Sequence, residues 1–242
     1  MIPKIIHQIW IQGYDNLPSE LKIKHETIKT YNPDYRVILW DSAKIEDLLK
    51  KYDKISKFYN DIANFSGFVK IFQSQSDVAR LVILYEYGGF YLDIDYYCPL
   101  SFDKLYKEDD ELIVVGSEYK ILKYIPIIYH PKYGASFIGI KKKHELFLIL
   151  FDELVQQNNR DIIGIFFDKF LQKNNYSVTI IDPKYVSSHT CCEIGCCYTP
   201  KESSSLFGRS LLIFISCKKN YIIFFIFLIL TIAIIYLLLR RK

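Results

Sequence analysis

One stretch constrains this chain more than any other: Ser76-Asp77-Val78-Ala79-Arg80-Leu81-Val82-Ile83-Leu84-Tyr85-Glu86-Tyr87-Gly88-Gly89-Phe90-Tyr91-Leu92-Asp93-Ile94-Asp95. Val78, Leu81, Val82 and Tyr85 recur at i, i+3, i+4 and i+7, which predicts a helix with one apolar face. Asp77 and Arg80, three apart, fall on its flank as an ordinary helical ion pair. Gly88-Gly89 ends the helix, because glycine takes the left-handed conformation a helix terminus requires. From Phe90 the period drops to two. An extended strand would point Phe90, Leu92 and Ile94 to one face and Tyr91, Asp93 and Asp95 to the other.

Two like charges that close are costly unless a positive group lies between them. A divalent cation is the simplest such group, and hard carboxylate oxygens suit magnesium or manganese, ions that also bridge substrate phosphates. The bland alternative is a strand that runs out into solvent, with Asp93 and Asp95 as solvated carboxylates.

The surrounding chain reads as alternating strands and helices. Ile2 to Gln12 is a β-branched run ending at Gly13, and reads as the first strand. A helix opens at Pro18 or Ser19 and runs to Tyr31, Asn32-Pro33-Asp34 turns the chain, and Tyr35 to Trp40 makes a second strand. Asp41-Ser42 then caps a further helix. Residues 53–70 read as helical with a break at Ser66-Gly67. Leu112 to Gly116, Phe137 to Ile140 and Val178 to Ile181 read as strands, and Glu145 to Gln156 and Ile162 to Gln172 as helices. This order predicts an α/β domain on a mostly parallel, Rossmann-like sheet with right-handed crossovers. Ligands in such sheets gather at the carboxyl ends of the strands, where Trp10, Asp41 and Asp95 would arrive.

Ser-Asp-x-x-Arg, a helix, Gly-Gly and an apolar strand into Asp-x-Asp together resemble the sugar-nucleotide site of the family 32 glycosyltransferases, the DXD sugar-binding group. The opening Ile2-Pro3-Lys4-Ile5-Ile6-His7-Gln8-Ile9-Trp10 and the later Asn-Pro-x-Tyr and Trp-Asp are similar to the same family. The resemblance implies a GT-A fold, a nucleotide-sugar donor and transfer of a hexose, with retention, to a glycan, lipid or protein acceptor. It also implies roles residue by residue. Trp10 would stack beside the nucleotide base, Asp77 and Arg80 would hold the donor sugar, and Tyr91 would support the nucleotide. Asp93 would contact ribose and sugar, and Asp95 would ligate Mn2+ or Mg2+, with His189 completing the metal site. Asp93, Asp95 and Arg80 form the implied catalytic set. Taken alone, Trp10 reads as a core aromatic, and His7 as a satisfied core histidine.

The resemblance is strongest over the first hundred residues. Downstream, Ala135 stands where the family has Asn, Glu145 stands where it has Pro, and the later Gly-Pro element is missing near Gly164. Two other readings follow. One is a membrane-tethered module that binds sugar nucleotides without turnover. The other is a haloacid dehalogenase-type phosphatase, with Asp93 as nucleophile and Asp95 as acid, although Tyr97 occupies the place of that family's Thr or Val.

Residues 221–239 carry no charge and are long enough to cross a hydrocarbon core, with Lys218, Lys219, Arg240, Arg241 and Lys242 flanking them. They predict a single-pass C-terminal anchor that leaves the domain of residues 1–190 on the cytosolic side, joined by a Cys- and Ser-rich segment over 191–220. Cys191, Cys192, Cys196 and Cys197 are open to four readings: zinc ligands, disulfides, palmitoylation sites or plain thiols, the last being the one favoured. The net charge of +4 is mild and no basic stripe with interleaved aromatics occurs, so nucleic acid is not an expected partner.

Overall fold

The computed structural model describes residues 1–65, 71–96, 98, 100–116, 132–156, 163–174, 176–182 and 185–186. All of them belong to one compact unit, Met1–Ser117 with Pro131–Ser187. Its elements run β1 (Ile5–Ile9), α1 (Ser19–Tyr31), β2 (Arg36–Trp40), α2 (Ser42–Leu49), α3 (Asp53–Phe65), α4 (Ile71–Tyr87), β3 (Gly89–Leu92), β4 (Leu112–Gly116), β5 (Tyr133–Ile140), α5 (Leu146–Gln156), α6 (Ile163–Asn174) and β6 (Thr179–Ile181).

The six strands form one sheet in the order β2-β1-β3-β5-β4-β6. β1 pairs in parallel with β2 and β3, and β4 pairs in parallel with β6, while β5 runs antiparallel to both β3 and β4. The sheet is therefore mixed, with β5 alone reversed, which refines the expected mostly parallel arrangement. The reversal has a functional result: the amino-terminal half of β5 lies at the carboxyl ends of β1, β2 and β3.

Both faces of the sheet are covered. Trp40, Ile9, Tyr91, Val114 and Ile138 face a core shared with α2 to α6. Ile6, Phe90, Leu92, Ile113, Val115 and Phe137 face a second core that takes Ile28 of α1 and Tyr96, Cys98 and Phe102 of the segment after β3. Alternation along the strands accounts for the division, interrupted in β5 where its register with β4 shifts: Tyr133 and Ala135 lie with the first core and Phe137 in the second. Burial on both faces is the usual condition of strands joined by helical crossovers.

Several local expectations hold. Asp41 caps α2 by accepting from the Lys44 N–H at 2.9 Å. Gly88 and Gly89 both take positive φ, +65° and +91°, where α4 gives way to β3. A Cβ at Gly88 would stand 2.5 Å from the Lys142 nitrogen, and one at Gly89 would stand 2.5 Å from the Ile5 carbonyl oxygen. Chain reversal and close backbone approach thus both require glycine here.

Other expectations are corrected. β1 is shorter than the Ile2 to Gln12 run, and β5 begins four residues before Phe137, at Tyr133. Helix α4 has no single apolar face: Val78 through Leu84 are all buried, because α4 packs against the sheet as well as α2, α3, α5 and α6. Arg80 is accordingly interior, not on a flank. β3 stops at Leu92, with Ile94 and Asp95 in a turn, so Asp93 and Asp95 are not successive residues on one strand face. Tyr91, expected on a polar face, is buried within the helix-side core.

No helix among the described residues is long and apolar enough to cross a membrane. The apolar run 221–239, the cysteines at 191–197 and His189 lie outside the described residues.

Candidate active site

β1, β2 and β3 lie side by side and run the same way, so their carboxyl ends deliver Trp10, Asp41 and Asp93 to one edge of the sheet. Helix α4 brings Asp77 and Arg80 to the same place. The reversed β5 adds backbone: the Asp93 N–H donates to the Ser136 carbonyl at 2.9 Å, extending the β3–β5 ladder one residue beyond the strand.

Arg80 is the centre of this arrangement. Its Nη1 donates to the Ala135 carbonyl at 2.7 Å and lies 3.4 Å from Asp93 Oδ1, while Nη2 pairs with Asp77 Oδ1. The guanidinium carbon stands 4.5 Å from the centre of the Tyr91 ring. The Tyr91 hydroxyl in turn donates to Asp93 Oδ1 at 2.7 Å. Asp77, Arg80, Tyr91 and Asp93 therefore form one network across α4, β3 and β5.

Burial governs its electrostatics. The Arg80 side chain is only 8% exposed, and the Asp77 and Asp93 side chains are 16% and 29% exposed. Burial disfavours the charged guanidinium, but the neighbouring Tyr91, Asp77, Asp93 and Tyr96 outweigh it, so its pKa is raised and Arg80 is a permanent cation. Burial likewise pushes the Tyr91 phenol well above its ordinary value, which keeps it a neutral hydrogen-bond donor to Asp93. Arg80 Nε has no hydrogen-bond partner among the described residues.

Asp95 lies two residues further on and is exposed. Its carbonyl oxygen accepts from Lys24 Nζ of α1 at 2.8 Å. Trp10 is half-buried and outside both cores, with its indole N–H donating to the Asn16 carbonyl at 3.3 Å. This removes the alternative of a core aromatic. His7, by contrast, is a satisfied core histidine: the Trp40 indole donates to Nδ1 at 3.1 Å, which leaves Nε2 as the donor to the Gly88 carbonyl at 2.9 Å. Asp41 is committed to capping α2 and to an ion pair with Lys44.

Among the described residues no three His, Cys, Asp or Glu side chains gather to hold a metal ion. Asp93 and Asp95 nonetheless suit one kind of metal. An ion such as Mg2+ is usually held by one or two carboxylates, its other positions filled by phosphates and water. An exposed carboxylate beside a half-exposed one at a turn offers hard oxygen donors of that kind.

The comparisons with known proteins decide the family. Residues 18–112 match the family model described as a glycosyltransferase sugar-binding region containing the DXD motif. Over residues 18–112 the chain belongs to the DXD glycosyltransferases. Within this family it is 31% identical over 159 residues to an uncharacterized glycosyltransferase of Acanthamoeba polyphaga mimivirus, a match covering 66% of this chain and 58% of that one. It is 33% identical over 113 residues to inositol phosphoceramide mannosyltransferase 1 of Schizosaccharomyces pombe, covering 43% of this chain and 31% of the relative. Mannosyl phosphorylinositol ceramide synthase SUR1 of Saccharomyces cerevisiae is 30% identical over 105 residues, covering 43% and 25%. The chain thus spans little more than half the length of the viral relative and about a third or less of these yeast ones. Among solved structures, PaToxG glycosyltransferase overlaps 72% of this chain and 69% of its own, at 18% identity and a TM-score of 0.49.

For a DXD glycosyltransferase, the sequence motif and the network coincide: the matched segment supplies Asp77, Arg80, Tyr91, Asp93 and Asp95. Sequence reasoning missed the backbone carbonyls of Ala135 and Ser136 and the amine of Lys24. Carbonyls carry no residue signature, and Lys24 reads as an ordinary solvated helix lysine.

Proposed function

We propose that this protein is a metal-dependent hexosyltransferase of GT-A type that takes a sugar from a nucleotide-sugar donor at the edge formed by Trp10, Asp77, Tyr91, Asp93 and Asp95. The observation that carries the proposal is the convergence of Asp77, Arg80, Tyr91 and Asp93 into one buried-to-exposed network in a chain of this family.

Trp10 offers an accessible flat surface on which a nucleobase can stack. Asp77 and Asp93 present carboxylate oxygens that accept from ribose and sugar hydroxyls. Arg80 acts from behind them: buried between the two carboxylates, it is the counter-charge that holds them in place. Tyr91 directs a hydrogen bond onto Asp93 Oδ1, limiting the directions that carboxylate can turn. Asp95, with Asp93 alongside, would hold Mn2+ or Mg2+ together with the donor diphosphate, and His189 is a further proposed ligand. When bound, such an ion neutralises charge building on the departing diphosphate without needing a proton donor. Retention at the sugar and a glycan, lipid or protein acceptor are part of the same proposal, as is a C-terminal membrane anchor at residues 221–239 with the domain on the cytosolic side.

A second reading has a specific basis: the chain spans only part of its relatives and departs from the family at Ala135 and Glu145, so the fold could bind donor without transferring it. Family membership sets aside the haloacid dehalogenase reading. The deciding experiment uses the full chain in detergent with UDP-glucose and GDP-mannose, plus and minus Mn2+. Release of sugar that requires the metal and disappears in Asp95→Ala supports the transferase. Nucleotide-sugar binding without release supports the binding module, and neither binding nor release defeats both.

A further inference from the structure

Helix α1 contributes nothing to the network around Arg80, yet one of its side chains reaches the turn that carries Asp95. Lys24 Nζ is 2.8 Å from the Asp95 carbonyl oxygen, a contact between residues 71 apart in sequence. Lys24 is half-buried, unlike its neighbours Ile23 and Glu26, which are exposed. The helix is itself well anchored below this point. Ile28 is fully buried in the core beside Ile6 and Leu92, and the buried His25 ring pairs through Nδ1 with Gln8 Oε1 at 2.6 Å. Lys24 thus projects from a fixed base on α1, and α1 packs on the sheet face that carries Leu92, the last residue of β3.

β3 ends at Leu92, and the last ladder contact beyond it is the Asp93 N–H to Ser136. Past that point the Tyr96 N–H donates to the Asp93 carbonyl at 3.1 Å, closing the turn, and the Tyr96 side chain packs into the second core. The Lys24 ammonium joins the Asp95 peptide to α1, and a charged donor makes a stronger hydrogen bond than a neutral one.

We propose that Lys24 is a positioning residue for the metal-binding carboxylate: by holding the Asp95 peptide it sets where the Asp95 side chain can meet a divalent ion. This rests on the proposed role of Asp95. It makes α1, which the sequence presents as a plain solvated helix, the second support of the site after α4.

The test measures binding, not turnover. Calorimetry with the full chain in detergent gives the affinity for UDP and for GDP, each with and without Mn2+, in the natural protein and in Lys24→Met and Lys24→Arg. The expected result is that Lys24→Met leaves metal-free nucleotide affinity unchanged. The gain in affinity conferred by Mn2+ should shrink roughly fivefold, the size of one net hydrogen bond, and Lys24→Arg should restore most of it. An undiminished Mn2+ gain in Lys24→Met overturns the inference. So does an equal loss with and without metal, which would make Lys24 a direct phosphate contact. If the natural protein itself shows no Mn2+ gain with either nucleotide, the failure lies instead with the metal role of Asp95.

Discussion

Arg80 and Asp77 sit one turn apart on α4 and form an ion pair that is almost entirely out of water, their side chains 8% and 16% exposed. A pair of this spacing on a helix surface would contribute a few tenths of a kcal/mol. Here the same two residues are joined to Asp93, Tyr91 and the Ala135 carbonyl, and the cost of separating them is of a different order.

Replacing Arg80 with Met should therefore damage folding before it informs about catalysis. It removes the cation between two carboxylates and the donor to the half-buried Ala135 carbonyl. Loss of one partner from a buried pair costs about 3 to 5 kcal/mol. Urea denaturation should show a fall of this order for Arg80→Met. A change under 1 kcal/mol would mean that the network is not the structural hub described.

Asp95 should behave in the opposite way. It is exposed in a turn, where substitutions generally cost far less than in the core, and Asp→Asn keeps the shape of the side chain. Asp95→Asn is expected to melt with the natural protein while losing metal-dependent sugar release by at least about 100-fold, the scale of a lost electrostatic contact in a transition state. An Asp95→Asn protein that retains full metal-dependent release would remove this residue from the site.

Gly88→Ala and Gly89→Ala should each be destabilising by about 2 kcal/mol or more, since a side chain is forced into positive φ and a new Cβ meets backbone atoms at 2.5 Å. Neither neighbour is the end of a flexible side chain that could swing away. Thermal unfolding of the two variants, compared with alanine at Gly13, separates the causes. Gly13 also has positive φ but nothing within 4 Å of its Cβ position, so it should suffer the smaller loss.

His7 should make the protein acid-sensitive. Burial lowers its pKa from 6.5 to about 4, the Gly88 contact opposing and Arg36 adding to the shift. A histidine with a depressed folded-state pKa contributes stability that is present above pH 6.5 and lost as the pH falls from there towards 4, because the unfolded chain takes up the proton first. The loss should be roughly 3 kcal/mol over that window. Burial shifts His25 in the same direction. Denaturation midpoints between pH 7.5 and 4 should fall accordingly. His7→Gln should be less stable at pH 7 and less steep below it; an unchanged slope would contradict the assignment.

Much of this protein was legible from residue order. The α4 to β3 transition, the capping Asp41 and the strand at Leu112–Gly116 all rest on short-range rules: helical and strand periods, glycine conformational freedom, and side-chain hydrogen bonds to nearby backbone. Those rules act within a few residues, so the chain carries them openly. The tertiary structure alone decided which faces were buried. Arg80 became an interior cation because the sheet and helices α2, α3, α5 and α6 close over α4, and Tyr91 became a core phenol because the helix layer covers that side of the sheet. Ala135, Ser136 and Lys24 entered the site through the reversal of β5 and the packing of α1. Such contacts join residues tens of positions apart, and their energy comes from water excluded between elements, a quantity that no local pattern encodes.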